Sequence, residues 1–160
     1  MKRVGIIAIV LAILGALPGI SAAEIPGFAL WSAERLGSAG SALHGRVSNH
    51  LAFEQIGDFG GHLALIVYRD ASGEAEYHEK QSDFYVIRQG EATLVVGGTM
   101  VDPRETGPGE LRGPSIRDGE TFALRPGDVV NIPPAVPHQI LLSEGKTFTY
   151  FILKVTTPKE

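Results

Sequence analysis

The fold is decided by two stretches of sequence: residues 76–90 read EYHEKQSDFYVIRQG, and residues 127–138 read GDVVNIPPAVPH. Each contains a short run rich in β-branched and aromatic residues that is bounded by Gly or Pro. Such runs are typical of strands that end in tight turns. The PPAVP segment is too rich in proline to continue a central strand, and it leads directly into His138.

The same pattern extends outward from both stretches and predicts seven strands, with Gly or Pro in most of the gaps. They are predicted at residues 62–69, 83–89, 91–97, 120–124, 128–132, 137–143 and 147–155. No helical period separates them, so the pattern favours an all-β antiparallel sandwich or barrel over a parallel α/β sheet. No internal repeat is visible, which indicates a single barrel at residues 60–157.

Two segments do not follow the strand pattern. Residues 24–59 form an N-terminal segment in which Ser32 is a candidate N-cap for a short helix. Residues 98–117 contain many Gly and Pro and few apolar residues, and they are too long for a simple hairpin. This second segment is interpreted as either a lid over a binding site or a surface loop without a role.

The first 23 residues are predicted to be a secretory signal peptide. Two basic residues precede an uncharged run at 4–20, and small residues follow at 21–23, so cleavage is expected after Ala23. The alternative is an uncleaved membrane anchor, but Pro18 would interrupt the spanning helix. We therefore expect a secreted or periplasmic protein with no stable membrane anchor after cleavage.

Composition excludes several classes of function. The 160-residue chain has a formal net charge of −4, which gives no broad attraction for nucleic-acid backbones. It contains no cysteine, so disulfides, thiolate nucleophiles and cysteine-bound metals are excluded. Any metal chemistry must use histidine and carboxylate ligands.

Four residues in the two stretches are candidate metal ligands. Glu76 and His78 are two positions apart, so on a strand both side chains point to the same face. Together with Asp83 and His138 they offer the nitrogen and oxygen ligands that suit Mn, Fe(II), Ni, Cu(II) or Zn. Each also has a structural interpretation: the histidines could be hydrogen-bonded core residues, Asp83 a turn cap and Glu76 a solvated charge.

The two stretches resemble the motifs of the cupin family. The first family motif is written G-x5-H-x-H-x3-4-E-x6-G, and here the spacing from Asp83 to Gly90 sets its frame. Glu76 and His78 then fall on its two histidines. The second motif is G-x5-P-x-G-x2-H-x3-N, which this chain matches at Gly127, Pro133 and His138 but not at its last glycine and asparagine, where it has Ala135 and Leu142.

The resemblance implies a cupin jelly roll whose metal ligands are Glu76, His78, Asp83 and His138. Two neutral histidines with two carboxylates would give a divalent ion a net charge near zero, which favours ions that prefer oxygen ligands, such as Mn, over copper. The metal identity among Mn, Fe, Ni and Zn stays open, no organic cofactor is expected, and no catalytic residue is assigned. His62, Tyr68 and Tyr85 are candidate cavity-lining residues, whereas Arg104, Glu110 and Arg112 are interpreted as solvated loop charges.

Two functions are consistent with this sequence. The favoured one is a metal-dependent enzyme acting on a small organic molecule by oxygenase, isomerase, epimerase or lyase chemistry. The alternative is a non-catalytic small-molecule or sugar-binding barrel with a decayed metal site. Both faces of the last strand are largely apolar, which predicts a homodimer or, alternatively, cover from the N-terminal segment around Trp31.

Overall fold

The computed structural model describes residues 25–156, which form two large antiparallel sheets, a two-stranded ribbon and one short helix. The helix α1 spans Ala33–Leu43, and a 3-10 turn follows at His44–Arg46. As predicted, Ser32 caps α1, because its hydroxyl accepts a hydrogen bond from the backbone N–H of Arg35 at 3.1 Å. The predicted signal peptide, residues 1–23, lies outside the described residues.

The strands have the following bounds: β1 Leu51–Asp58, β2 His62–Arg69, β3 Ala75–His78, β4 Gln81–Gln89, β5 Ala92–Val96, β6 Thr99–Val101, β7 Arg104–Gly107, β8 Glu110–Gly113, β9 Ser115–Arg117, β10 Glu120–Leu124, β11 Val129–Ile132, β12 His138–Leu141 and β13 Phe148–Thr156. One sheet has the order β1-β2-β13-β4-β11 and the other the order β10-β5-β12-β3-β8-β7. Strands β6 and β9 form a separate two-stranded ribbon. The predicted all-β architecture is confirmed.

The core consists of two layers. Alternate residues of β13, such as Tyr150 and Ile152, point between the sheets into the larger buried cluster. Phe151 points the other way, into a second cluster under α1, where its ring lies 5.4 Å from that of Trp31. The N-terminal segment therefore covers the outer face of β13, which is the alternative to a dimer that the sequence left open.

Two segments differ from expectation. Residues 51–58, predicted to belong to an irregular segment, form β1 and pair with β2 along its length. Residues 98–117, predicted to be a loop, form four short strands. Each of these strands is only three or four residues long, too short to show the apolar alternation that marks a strand in sequence. The segment is therefore made of paired strands and is not the predicted loop.

One glycine fixes the turn after β4. Gly90 has φ of +79°, and a Cβ there would collide with the carbonyl oxygen of Thr147. Only glycine fits this position, because the backbone is left-handed and another strand lies directly against it. Among residues 25–156, no helix is long and apolar enough to cross a membrane.

Candidate metal centre

Cross-strand pairing builds the candidate site from three directly opposed pairs around β3. His138 of β12 lies opposite Glu76, and Arg112 of β8 lies opposite Glu76 on the other side. Glu110 lies opposite His78. Opposed residues on antiparallel strands have Cβ atoms about 5 Å apart, so their side chains meet on the same face.

The structure brings the four predicted ligands together. One nitrogen or oxygen from each of Glu76, His78, Asp83 and His138 lies within 4.8 Å of the others. The Oδ2 atom of Asp83 is 3.5 Å from His78 Nε2 and 3.4 Å from His138 Nε2. A tetrahedral ion with bonds of about 2.1 Å holds its ligands about 3.4 Å apart, so these separations fit a first-row divalent ion.

Hydrogen bonds orient both histidines so that Nε2 faces the centre. The Nδ1 of His138 donates to the carbonyl oxygen of Val136 at 3.1 Å, because a carbonyl can only accept. The Nδ1 of His78 donates to Glu110 at 2.5 Å. A carboxylate or carbonyl partner on the outer nitrogen is the usual arrangement for a metal-binding histidine.

The inner nitrogen of His138 has no partner. Within residues 25–156, its buried Nε2 is a side-chain nitrogen without a hydrogen bond, and it faces the Asp83 carboxylate. A lone pair facing a carboxylate in a buried site is unfavourable unless a cation lies between them. The donor set therefore fits a divalent metal ion.

A lysine that the sequence analysis did not assign lies inside this cluster. The Nζ of Lys154 is 2.8 Å and 2.9 Å from the two carboxylate oxygens of Asp83 and 3.0 Å from His78 Nε2. Lys154 lies directly opposite Asp83 in the β13–β4 register. Lys154 has the same strand parity as Tyr150 and Ile152 on β13, and both of those residues point inward. Strand parity could therefore have predicted that Lys154 also points inward.

Two arginines bind the carboxylate of Glu76. Arg69 Nη2 donates to Oε1 at 3.0 Å, and Arg112 Nη2 lies 3.3 Å from Oε2. Arg69 Nε also donates to the hydroxyl of Tyr150 at 3.2 Å. Arg112 and Glu110, which were predicted to be solvated loop charges, are thus part of the site, whereas Arg104 is exposed and pairs with Glu74.

The surroundings keep both carboxylates ionised. Burial opposes ionisation of Asp83, but the close approach of His138 and His78 and the Lys154 ammonium outweigh it, so its pKa lies well below 3.8. Burial likewise opposes ionisation of Glu76, yet His78 and Arg112 lower its pKa below the ordinary range.

The same carboxylates favour positive charge on His78. Burial favours the neutral ring, but hydrogen bonds to Asp83 and Glu76 raise the pKa of His78 to about 9. Its Nε2 holds either a proton or the lone pair that accepts from Lys154. In both states, positive charge lies between the imidazole and the carboxylates.

A cavity of about 290 Å³ opens beside the site. Its wall joins apolar and aromatic side chains to the charged groups of the centre: Leu51, Phe53, Leu65, Val67, Arg69, Glu76, Asp83, Tyr85, Arg112, Tyr150, Ile152 and Lys154. An apolar wall with a few convergent polar groups is typical of a site for a small organic molecule.

Of the three candidate cavity-lining residues, only Tyr85 lines this cavity, and its hydroxyl donates to Asp83 Oδ2 at 3.2 Å. Tyr68 lies on the opposite face of β2, where its ring is 4.3 Å from that of His44. His62 is exposed and stacks on Phe59 at 4.7 Å. Strand parity explains both corrections, because residues 62 and 68 alternate with the inward-facing Leu65 and Val67.

The fold matches solved structures, although sequence identity is low. A protein with a double-stranded β-helix domain from Klebsiella pneumoniae aligns with a TM-score of 0.55 and 13% identity, over 82% of this chain and 92% of that one. KdgF from Halomonas sp. aligns with a TM-score of 0.51 and 18% identity, over 70% and 85% of the two chains. The cupin domain of Cnp3 from Schizosaccharomyces pombe aligns with a TM-score of 0.51 and 15% identity, over 71% and 66%.

The chain has the cupin fold. The sequence matches no protein-family model and no curated protein. The structural likeness therefore establishes the architecture, and the chemistry has to be argued from the side chains described above.

The backbone conformation at Ala135 explains why the second motif has glycine at this position. Ala135 stands where the motif has glycine, and its φ is +61°, in the left-handed region that glycine prefers. Its backbone N–H donates to the carbonyl oxygen of His78 at 2.8 Å. This bond ties the proline-rich turn before His138 to β3, so the strained turn holds the two histidines in register.

Proposed function

We propose that this cupin binds a divalent metal ion through Glu76, His78, Asp83 and His138 and acts on a small organic acid in the adjacent cavity. The observation that carries the proposal is the convergence of two oriented histidine nitrogens and two ionised carboxylates on one point. Secretion or a periplasmic location is part of the proposal and rests on residues 1–23 of the sequence. The predicted homodimer also stays a prediction.

The ligand atoms limit the kinds of metal ion that the site can bind. It offers nitrogen and oxygen ligands without sulfur, which suits Mn, Fe(II), Ni or Zn. When bound, such an ion would polarise a carbonyl or hydroxyl group of the substrate. Glu110 and the Val136 carbonyl would hold the two histidine rings in the ligating tautomer.

The cations around the centre favour an acidic substrate. Arg69, Arg112 and Lys154 line the cavity and form ion pairs with the carboxylates of Glu76, Asp83 and Glu110. A divalent ion would leave this cavity with a surplus of positive charge. A carboxylate of the substrate would bind there, and its apolar part would lie against Leu51 and Phe53.

Tyr85 and the apolar wall have supporting roles. Burial raises the pKa of Tyr85 well above 10, so its hydroxyl stays protonated and donates to Asp83. That bond fixes the orientation of the Asp83 carboxylate. Leu65, Val67 and Ile152 extend the apolar wall that Leu51 and Phe53 begin on the same sheet, and this wall keeps water away from the charged groups.

Metal binding is tested with protein that has been stripped with a chelator, titrated with Mn²⁺ and Zn²⁺ by calorimetry and followed by thermal unfolding. We expect one ion per chain and a higher melting temperature, since an ion at 100 times its Kd stabilises the folded state by about 2.7 kcal/mol. His78→Ala and His138→Ala should abolish both effects. His62→Ala removes an exposed histidine outside the cavity and is the matched control. Unchanged binding in the two site variants would refute the assignment.

The substrate class is tested by a thermal-shift screen of small carboxylic acids and their matched amides. Acids should stabilise the metal-loaded protein more than amides of the same skeleton, because only the acid supplies the negative charge. Equal stabilisation by acid and amide would remove the argument for an anionic substrate.

A second function is favoured by one observation. The Lys154 ammonium already neutralises Asp83, so the barrel can satisfy its buried carboxylate without a metal. The chain would then be a non-catalytic small-molecule or sugar-binding protein. Absence of metal binding in the calorimetric titration, together with ligand binding in the screen, would favour this second function.

A further inference from the structure

Lys154 and the proposed metal ion need the same place. The Nζ of Lys154 lies within 3.0 Å of both Asp83 oxygens and of His78 Nε2, which are three of the atoms that face the centre. An ammonium group and a divalent ion at such short separation repel each other strongly in a buried site. Both cannot occupy the cluster at once.

The contacts of Lys154 also use the atoms of His78 and Asp83 that a metal ion would bind. When Lys154 donates to His78 Nε2, it uses the lone pair that a metal would bind. When it donates to Asp83, it uses both carboxylate oxygens, including Oδ2, which lies 3.5 Å from His78 Nε2 and 3.4 Å from His138 Nε2. Lys154 thus satisfies two of the four candidate ligands in the absence of metal.

The register keeps Lys154 close to the site at all times. Its backbone lies opposite that of Asp83 in the central strand pair β13–β4. Its side chain is 20% exposed, so it has a path from the cluster into the cavity, whereas that of Asp83 is 1% exposed and has none. The lysine is therefore the member of the pair that can move.

We propose that Lys154 is an internal competitor of the metal ion, which occupies the cluster in the metal-free protein and must be displaced when an ion binds. This inference rests on the metal site of the proposed function. Lys154 accordingly sets the metal affinity of the site: it stabilises the empty barrel and weakens ion binding. Ions that bind nitrogen and oxygen ligands weakly would fail to displace it.

The test compares Zn²⁺ and Mn²⁺ affinities of chelator-stripped wild type, Lys154→Met and Lys146→Met by calorimetry. Lys146 is exposed, so its replacement removes the same charge at a distance from the centre. We expect Lys154→Met to bind the ions on the order of tenfold to a hundredfold more tightly, because a nearby positive charge has been removed. Lys146→Met should bind like the wild type.

Thermal unfolding in the presence of chelator gives a second readout. Without metal, Lys154→Met should melt at a lower temperature than the wild type, because Asp83 loses its counter-ion. Added Zn²⁺ should raise its melting temperature more than that of the wild type. A competitor predicts opposite effects of the substitution in the two conditions, whereas a merely structural lysine predicts a loss in both.

The outcomes separate the two proposals. Equal affinities of wild type and Lys154→Met would overturn the competition and leave the metal site intact, and weaker binding by the variant would show that Lys154 helps to bind the ion. Binding by neither protein would overturn the metal site and the competition with it. If Lys154→Met does not fold, Zn²⁺ titration of wild type labelled with ¹³C at lysine Cε replaces it: a shifted lysine signal supports displacement, and unchanged lysine signals on saturation refute it.

Discussion

Replacing Asp83 by asparagine tests whether burial makes the ion pair between Asp83 and Lys154 contribute strongly to the free energy of unfolding. The side chain of Asp83 is 1% exposed, and it accepts hydrogen bonds from Lys154 at 2.8 Å and 2.9 Å and from Tyr85 at 3.2 Å. Asparagine has nearly the same shape, so Asp83→Asn removes the charge while it largely preserves packing. The Lys154 ammonium is then left without its counter-ion.

The magnitude follows from the exposure of the two partners. Breaking a fully buried pair by removing one partner costs about 3–5 kcal/mol. Lys154 is 20% exposed and can turn toward the cavity, which lowers the cost toward the small end of that range. We expect Asp83→Asn to lower the free energy of unfolding of the metal-free protein by about 3 kcal/mol.

The pair between Glu74 and Arg104 provides a matched control. Its two hydrogen bonds are as short, at 2.8 Å and 2.7 Å, but the side chains are 49% and 55% exposed. Exposed ion pairs contribute about 0–1 kcal/mol, so Glu74→Gln should cost at most about 1 kcal/mol. The two variants compare similar hydrogen-bond geometry at very different exposure.

The assay is guanidinium unfolding in the presence of chelator, with the free energy taken from the midpoint and the slope. At pH 7 the two variants should differ by about 2 kcal/mol. Equal losses for Asp83→Asn and Glu74→Gln would refute the argument from burial. So would a loss for Asp83→Asn below about 1 kcal/mol, which is the range of an exposed pair.

The pH dependence has a definite sign. Because the folded pKa of Asp83 lies below the ordinary 3.8, its ionised form contributes stability at pH values above 3.8. That contribution is lost as the pH falls below 3.8 toward the folded pKa. The difference in unfolding free energy between wild type and Asp83→Asn should therefore persist from pH 7 to about pH 5 and shrink at pH 3. A difference that grows on acidification would show that the pKa shift has been assigned the wrong sign.

Three further predictions concern other parts of the chain. Ala135→Gly should stabilise the protein by about 0.5 kcal/mol in the same assay, because relief of left-handed strain of about 1–2 kcal/mol exceeds the added entropy of the unfolded chain. A lower free energy of unfolding would contradict this prediction. Light scattering at about 30 µM, where obligate dimers remain associated, should give twice the chain mass, and a monomer would mean that Trp31 and its neighbours alone cover the outer sheet. Protein recovered from the periplasm or medium of an expressing bacterium should begin at Glu24 by mass spectrometry, whereas retention of residues 1–23 in a membrane fraction would support the anchor.

The turns explain why the fold was predictable from sequence. Gly90 and Gly127 have φ of +79° and +96°, and the strands between such turns carry dense runs of Val, Ile, Phe and Tyr. These signals depend on neighbouring residues only, so they can be read without knowledge of the rest of the chain. The strands that were not among the seven predicted are β1, β3 and β6 to β9. Polar residues or Gly interrupt the apolar pattern in most of them, so they lack a dense apolar run even where the pairing partner is the next strand, as for β1 with β2 and β7 with β8.

The same distinction applies to the site. Glu76, His78, Asp83 and His138 were found because motif spacing and strand parity are properties of neighbouring residues. The prediction for Tyr68 was wrong because Tyr68 lies on the face of β2 opposite the inward-facing Leu65 and Val67. Parity decides the face, and a comparison with Val67 would have placed the tyrosine outside the cavity.

The charge around the site could not be predicted from the ligands alone. Two histidines and two carboxylates predict a nearly neutral centre around a divalent ion, with little attraction for anions. Cross-strand register adds Arg112 opposite Glu76 and Lys154 opposite Asp83, which places a cation beside each carboxylate. Under our proposals, an ion that enters displaces the Lys154 ammonium, and the loaded cavity would prefer anions for a reason that its ligands alone do not supply.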